Sequence, residues 1–132
     1  MPGVRPVQEG LFTAEHLLGG RCGACTRHHF PRASTCPWCG STEVTEVELS
    51  DTGTLWAWTE VTAAPPGYRG EVPFGFGVVE LPEGIRVITR LGGGDPARLA
   101  FGEPMRLDIG PLHEEDDGTT VFSYQFVPAE PR

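Results

Sequence analysis

RCGACTRHHFPRASTCPWCG, residues 21–40, contains all four cysteines of this 132-residue chain. They form two C-x2-C pairs, Cys22/Cys25 and Cys36/Cys39, with ten residues between them. A C-x2-C pair turns two sulfurs toward one point when a tight turn follows it. Gly40, directly after Cys39, takes the positive φ such a turn needs. Thr26 stands at the equivalent place after Cys25, so the first knuckle is the weaker of the two. Four thiolates make a closed tetrahedral set, which is structural rather than catalytic. Zinc is the default ion. Iron is the rival, because an S4 site accepts either metal. Disulfides need an oxidising compartment. MPGVRPVQEGLF lacks the apolar core of an export signal, so a cytoplasmic location with reduced thiols is expected. A redox C-x2-C would require a βαβ context that the surrounding residues do not offer.

The segment around the cysteines is too short to bury a core of its own. Zinc bound to such peptides supplies on the order of 10–16 kcal/mol of apparent binding energy. Arg21, Arg27 and Arg32 offset the charge of the thiolate cluster.

Outside this module, 18 Gly and 13 Pro favour short strands and turns over long helices. No run of 18 apolar residues is present, so no membrane span is expected. The net charge is −8, and every basic residue is Arg. Residues 41–132 carry six Arg against sixteen acids. Such a chain repels a phosphate backbone, which argues against nucleic acid as a partner.

The chain is expected to divide into a lead-in (1–16), a zinc ribbon (17–43) and an all-β domain (44–132). VQEGLFTAEHLL (7–18) has the makings of one or two helical turns with Thr13 as N-cap. GTLWAWTEV (53–61) alternates, which puts Trp56 and Trp58 on one face, and this first strand is expected to start near Val44. GFGVVEL (75–81) and IRVITRL (85–91) flank Pro82-Glu83-Gly84 as a hairpin. MRLDIG (105–110) and TVFSYQFV (120–127) flank a turn at Asp117-Gly118. GDPARLAFG (94–102) has room for one helical turn. Five short antiparallel strands with a helical insert after the third describe an OB-fold barrel, and fit an SH3-like barrel or a small sandwich less well.

LLGGRCGACTRHHFPRASTCPWCGS, GTLWAWTEV, PFGFGVVELPEGIRVITRL and FGEPMRLDIG together resemble the family that joins a rubredoxin-like zinc ribbon to an OB fold, known as domain of unknown function 35. The resemblance runs from about residue 10 to residue 127. It implies that Cys22, Cys25, Cys36 and Cys39 are metal ligands. It also implies a small non-catalytic partner of acyl-CoA enzymes. Members of the family accompany thiolases, hydroxymethylglutaryl-CoA synthase or, in actinobacterial steroid side-chain degradation, a thiolase-like retro-aldolase acting on a steroyl-CoA. The composition suits the last setting. The implied assembly is a two-plus-two heterotetramer with a lipid-transfer-type aldolase or thiolase, with the barrel helping to form the acyl-CoA site. Thr26, and the near absence of the long N-terminal helical segment usual in the family, are departures from its pattern.

Several further residues are candidates for function. Arg86 and Arg90, four apart on one strand, share a face. They either pair with acids such as Glu80 or bind coenzyme A phosphates. Trp56 and Trp58 are barrel packing or an aromatic anchor for a partner. TAAPPGYRGEVPF (62–74) is long for a strand connection and places Tyr68 and Arg69 at its tip, as partner contacts. His28 and His29 are expected in a solvated turn, His16 on the lead-in helix and His113 at a hairpin tip. The competing functions are a stand-alone acyl-CoA binder, a single-stranded nucleic-acid binder and rubredoxin-like electron transfer.

Overall fold

The structure is a computed structural model that describes residues 4–6, 10–63, 66, 72–93 and 95–129. Nine strands are described: β1 (Val4–Pro6), β2 (Leu18–Cys22), β3 (His28–His29), β4 (Val44–Glu48), β5 (Thr52–Val61), β6 (Phe74–Glu80), β7 (Arg86–Leu91), β8 (Pro104–Glu114) and β9 (Thr120–Pro128). A 3-10 turn, Pro96–Arg98, is capped by the Asp95 carboxylate accepting from the Ala97 N–H.

Five strands close into a barrel in the order β9-β7-β6-β5-β8 and back to β9. All neighbours are antiparallel except β7 and β9, which run parallel through Leu91 and Phe126. The 3-10 turn lies between the third and fourth barrel strands. This is the OB topology expected from the strand count. Both hairpin turns form where the residues demand them, with Gly84 at φ +85 and Gly118 at φ +88. β1 adds to the barrel edge, parallel to β9.

A second, three-stranded sheet, β3-β2-β4, carries the cysteine knuckles. The long first barrel strand expected from Val44 is in fact two strands: β4 pairs with β2 in the small sheet, and β5 begins the barrel. The break at Leu49-Ser50-Asp51 is held from a distance. Glu83, in the β6–β7 turn, accepts from the Ser50 N–H at 2.7 Å and from its hydroxyl at 3.0 Å.

Among the described residues of 7–18 the expected helical turns are not formed. Thr13 instead closes a tight turn, its N–H donating to His16 O and its hydroxyl oxygen accepting from the His16 N–H. Phe12 bridges to Leu17 across that turn. The reason is tertiary. Leu17 is fully buried, and a helical lead-in would forgo the pairing that draws it inward.

The two sheets share one hydrophobic cluster. Leu17 and Leu49, from the ribbon side, pack with Leu55, Val79, Val87, Leu91, Met105 and Phe126 of the barrel. Tyr124 on β9 sits at the junction. Its ring meets Phe12 at 6.4 Å and Phe30 at 5.7 Å, both edge-on. Its hydroxyl donates to Ile88 O at 3.3 Å, and burial pushes its pKa up.

Candidate metal centre and barrel face

The two knuckles repeat one hydrogen-bond pattern. The Thr26 N–H donates to Cys22 O at 3.0 Å, and the Gly40 N–H donates to Cys36 O at 2.9 Å. Both turning residues are left-handed, Gly40 at φ +79 and Thr26 at φ +66. The turn is therefore imposed by the knuckle geometry even where no glycine is available. The Thr26 hydroxyl donates back to Cys25 O.

The four sulfurs of Cys22, Cys25, Cys36 and Cys39 lie within 4.8 Å of one another. Cys22 and Cys39 are 3.6 Å apart, and Cys25 and Cys36 are 3.7 Å apart. A tetrahedral ion with metal–sulfur bonds of about 2.3 Å sets its sulfurs about 3.8 Å apart. The donor set thus fits a tetrahedral S4 ion. Backbone N–H groups of Ala24 and Cys25 point at the Cys22 sulfur, and that of Trp38 points at the Cys36 sulfur.

These N–H groups govern the thiols. The Cys25 N–H, helped by the Ala24 N–H and nearby thiols, draws Cys22 down to about 6 against the effect of burial. Burial pushes Cys36 up, but the Cys39 and Trp38 N–H groups outweigh it, and its pKa is lowered. Cys39 moves the other way. The Ser41 N–H favours its thiolate, yet Cys22, burial, Cys36 and Cys25 together push it up to about 12. Anions this close repel, so the cluster retains protons until a cation takes their place.

The ribbon fits closely around this cluster. His29, expected in a solvated turn, is buried, with its Nε2 accepting from the Ala33 N–H at 3.2 Å. Gly20 makes room for it, since a Cβ there would fall 2.3 Å from the His29 Nε2. The neighbouring Gly-Gly pair was the sequence signal for a large buried side chain opposite. His28 lies on β3, His113 on β8 rather than at the hairpin tip, and His16 reaches Glu48 at 3.1 Å. Trp38 is exposed, donates its indole N–H to His28 O, and carries Arg27 over its ring at 5.4 Å. Arg32 reaches Glu46 at 3.5 Å.

On the barrel, Trp56 and Trp58 do not share a face. Leu55 pairs with Val79 but Ala57 pairs with Val78, so Trp56 is the extra residue of a β-bulge. The bulge exposes Trp56 and swings Trp58 toward the core cluster, with its ring 6.3 Å from Phe101. Arg86 and Arg90 do share the outer face of β7. Arg86 lies over the Trp56 ring at 4.0 Å and reaches Glu80 at 3.2 Å. Arg90 lies over Phe74 at 5.3 Å. Tyr68 and Arg69 lie outside the described residues. No described helix is long and apolar enough to cross a membrane.

Comparison with known proteins matches both halves of this architecture. Residues 13–45 fit the model of the ChsH2 rubredoxin-like zinc ribbon domain, and residues 46–110 fit that of the ChsH2 C-terminal OB-fold domain. The chain belongs to the DUF35 zinc-ribbon/OB-fold family. Benzoylsuccinyl-CoA thiolase subunit BbsA of Thauera aromatica is 32% identical over 113 residues, covering 86% of this chain and 76% of BbsA. A DUF35 domain-containing scaffold protein of Methanocaldococcus jannaschii is 30% identical over 116 residues, covering 86% of this chain and 82% of its own. The solved Ltp2-ChsH2(DUF35) aldolase contains a chain that superposes with a TM-score of 0.68 at 32% identity, covering 87% of this chain and 86% of that one.

Proposed function

We propose that this protein is a non-catalytic accessory subunit that binds and stabilises a thiolase-superfamily enzyme and helps form its acyl-CoA site. One observation carries the reading: similarity over most of the chain to a thiolase subunit and to a chain of the Ltp2-ChsH2(DUF35) aldolase. The acyl group proposed is a steroid side-chain thioester, and the assembly a two-plus-two heterotetramer.

Cys22, Cys25, Cys36 and Cys39 hold one zinc ion. Zinc saturated by four sulfurs has no open position, so it supplies folding energy and no chemistry. The acyl-CoA site forms where the barrel meets its partner. Arg86 and Arg90 face it as guanidinium donors for phosphate, and the loop bearing Tyr68 and Arg69 lies at its entrance.

The test is co-expression with a thiolase-superfamily protein from the same genome. The expected result is a stable complex with activity that the partner lacks alone. A partner that is soluble and fully active by itself refutes the reading. Titration of the isolated chain with coenzyme A esters is expected to show no tight binding; micromolar affinity would instead make it a stand-alone acyl-CoA binder.

A further inference from the structure

An antiparallel barrel wall facing water is polar on its outer side, whereas a wall covered on both sides reads as a near-continuous apolar run. The outer side of the wall β5–β6–β7 mixes the two patterns, with Thr54, Glu80, Arg86 and Arg90 around an apolar centre. Val79, Val87 and Leu91 point inward and are buried. Register places Val78 beside Ile88 and Ala57, and Phe76 beside Arg90 and Thr59, on the outer face. There Ile88 is 63% exposed, Trp56 51% and Phe76 40%. That apolar centre lies on the side of the wall that the described residues leave exposed.

Charge sets the same wall apart. In residues 41–132, with six Arg and sixteen acids, two of the six Arg stand here, and Glu80 on β6 pairs with Arg86. The Arg86 guanidinium is held by both Glu80 and the Trp56 ring. Trp and Arg held rigid around an apolar centre are the residue types that dominate protein interfaces.

We propose that the outer face of β5–β6–β7, centred on Ile88 and Trp56 and framed by Arg86 and Arg90, is the docking surface for a folded protein that presents an apolar patch rimmed by carboxylates. The proposal rests on the accessory-subunit reading, which makes the thiolase-superfamily protein that partner. A second copy of the chain fits poorly, because a two-fold contact through this face brings two copies of the Arg86–Arg90 pair together. Single-stranded nucleic acid fits poorly as well. Trp56 and Phe76 are exposed rings, but Arg86 already lies over Trp56, and a chain that carries −8 repels a phosphate backbone.

The test uses the full metal-loaded chain and the co-expressed thiolase-superfamily protein, with affinity measured in the absence of coenzyme A. Ile88→Asp buries an uncompensated charge and weakens binding by about 100-fold or more. Ile88→Ser, a milder change, weakens it by about tenfold. Arg90→Glu weakens it by about tenfold and reduces its salt dependence. Arg106→Glu, an equal charge reversal on β8, stays within about threefold of wild type. Urea midpoints matching the parent show that each variant folds. A wild-type complex that survives Ile88→Asp unchanged overturns this face and leaves the accessory-subunit reading standing. No wild-type complex overturns both. A homodimer, or a bound labelled oligonucleotide, that is lost in Ile88→Asp overturns the class of partner.

Discussion

Gly77→Ala tests whether the β-bulge at Trp56 is as tightly seated as described. A Cβ at residue 77 would lie 2.2 Å from Ala57 O, 2.7 Å from Trp58 Cα and 3.0 Å from Ala57 C. All three are backbone atoms of β5, so no side-chain rotation relieves the clash. Ordinary contact begins near 3.4 Å, which requires β5 and β6 to part by about 1 Å. That displacement takes the flanking N–H···O bonds out of range. The expected loss is about 3 kcal/mol, the upper end of overpacking effects. For a domain of this size it corresponds to a fall in Tm of about 10 °C. Urea unfolding of the metal-loaded chain, followed by tryptophan fluorescence, measures it. Gly110→Ala is the control. The nearest atom to its Cβ would be Asp108 Oδ2 at 3.8 Å, and the expected change is within about 0.5 kcal/mol. A Gly77→Ala protein within about 0.5 kcal/mol of wild type, with an unchanged denaturant slope, would refute the close approach of the two strands.

Thr26→Gly relieves a β-branched residue held at φ +66 and should stabilise the chain by about 1 kcal/mol, read as a raised urea midpoint. Leu17→Ala empties a fully buried position in the shared cluster and should cost about 2–5 kcal/mol in one cooperative transition; two separate transitions would contradict a common core. Zinc affinity should fall with pH and steepen below about 6, where Cys22 also takes up a proton. The sign follows from the lowered pKa. Above it the thiolate is ready for the ion, and below it the proton competes. Competition with a chromophoric chelator across pH 5–8 measures the effect, and a pH-independent affinity would exclude thiolate ligation.

The strands, turns and cysteines were legible because their signals are local. Alternation gave the barrel strands, and Pro82-Glu83-Gly84 and Asp117-Gly118 marked turns that the glycines do make at positive φ. The errors came where distant residues decide. A period of two counted straight through GTLWAWTEV cannot register an extra residue, and the only sign of the bulge was a glycine at position 77, across the sheet. Thr13 has the chemistry of an N-cap, but the same hydroxyl closes a turn once Leu17 is drawn into the cluster. The break after Leu49 depends on Glu83, more than thirty residues away. In the metal site, the cysteine spacing gave the ligand set, while the burial of His29 was visible only as two adjacent glycines on the neighbouring strand.

Tyr124 gives the molecule a mechanical link between its two ends. Phe30, in the span between the knuckles, leans on one edge of its ring, while its hydroxyl grips the main chain of Ile88 on the exposed wall. One phenol thus adds, to the apolar packing the two sheets share, a polar tie that runs from the knuckle segment to the main chain of the exposed wall.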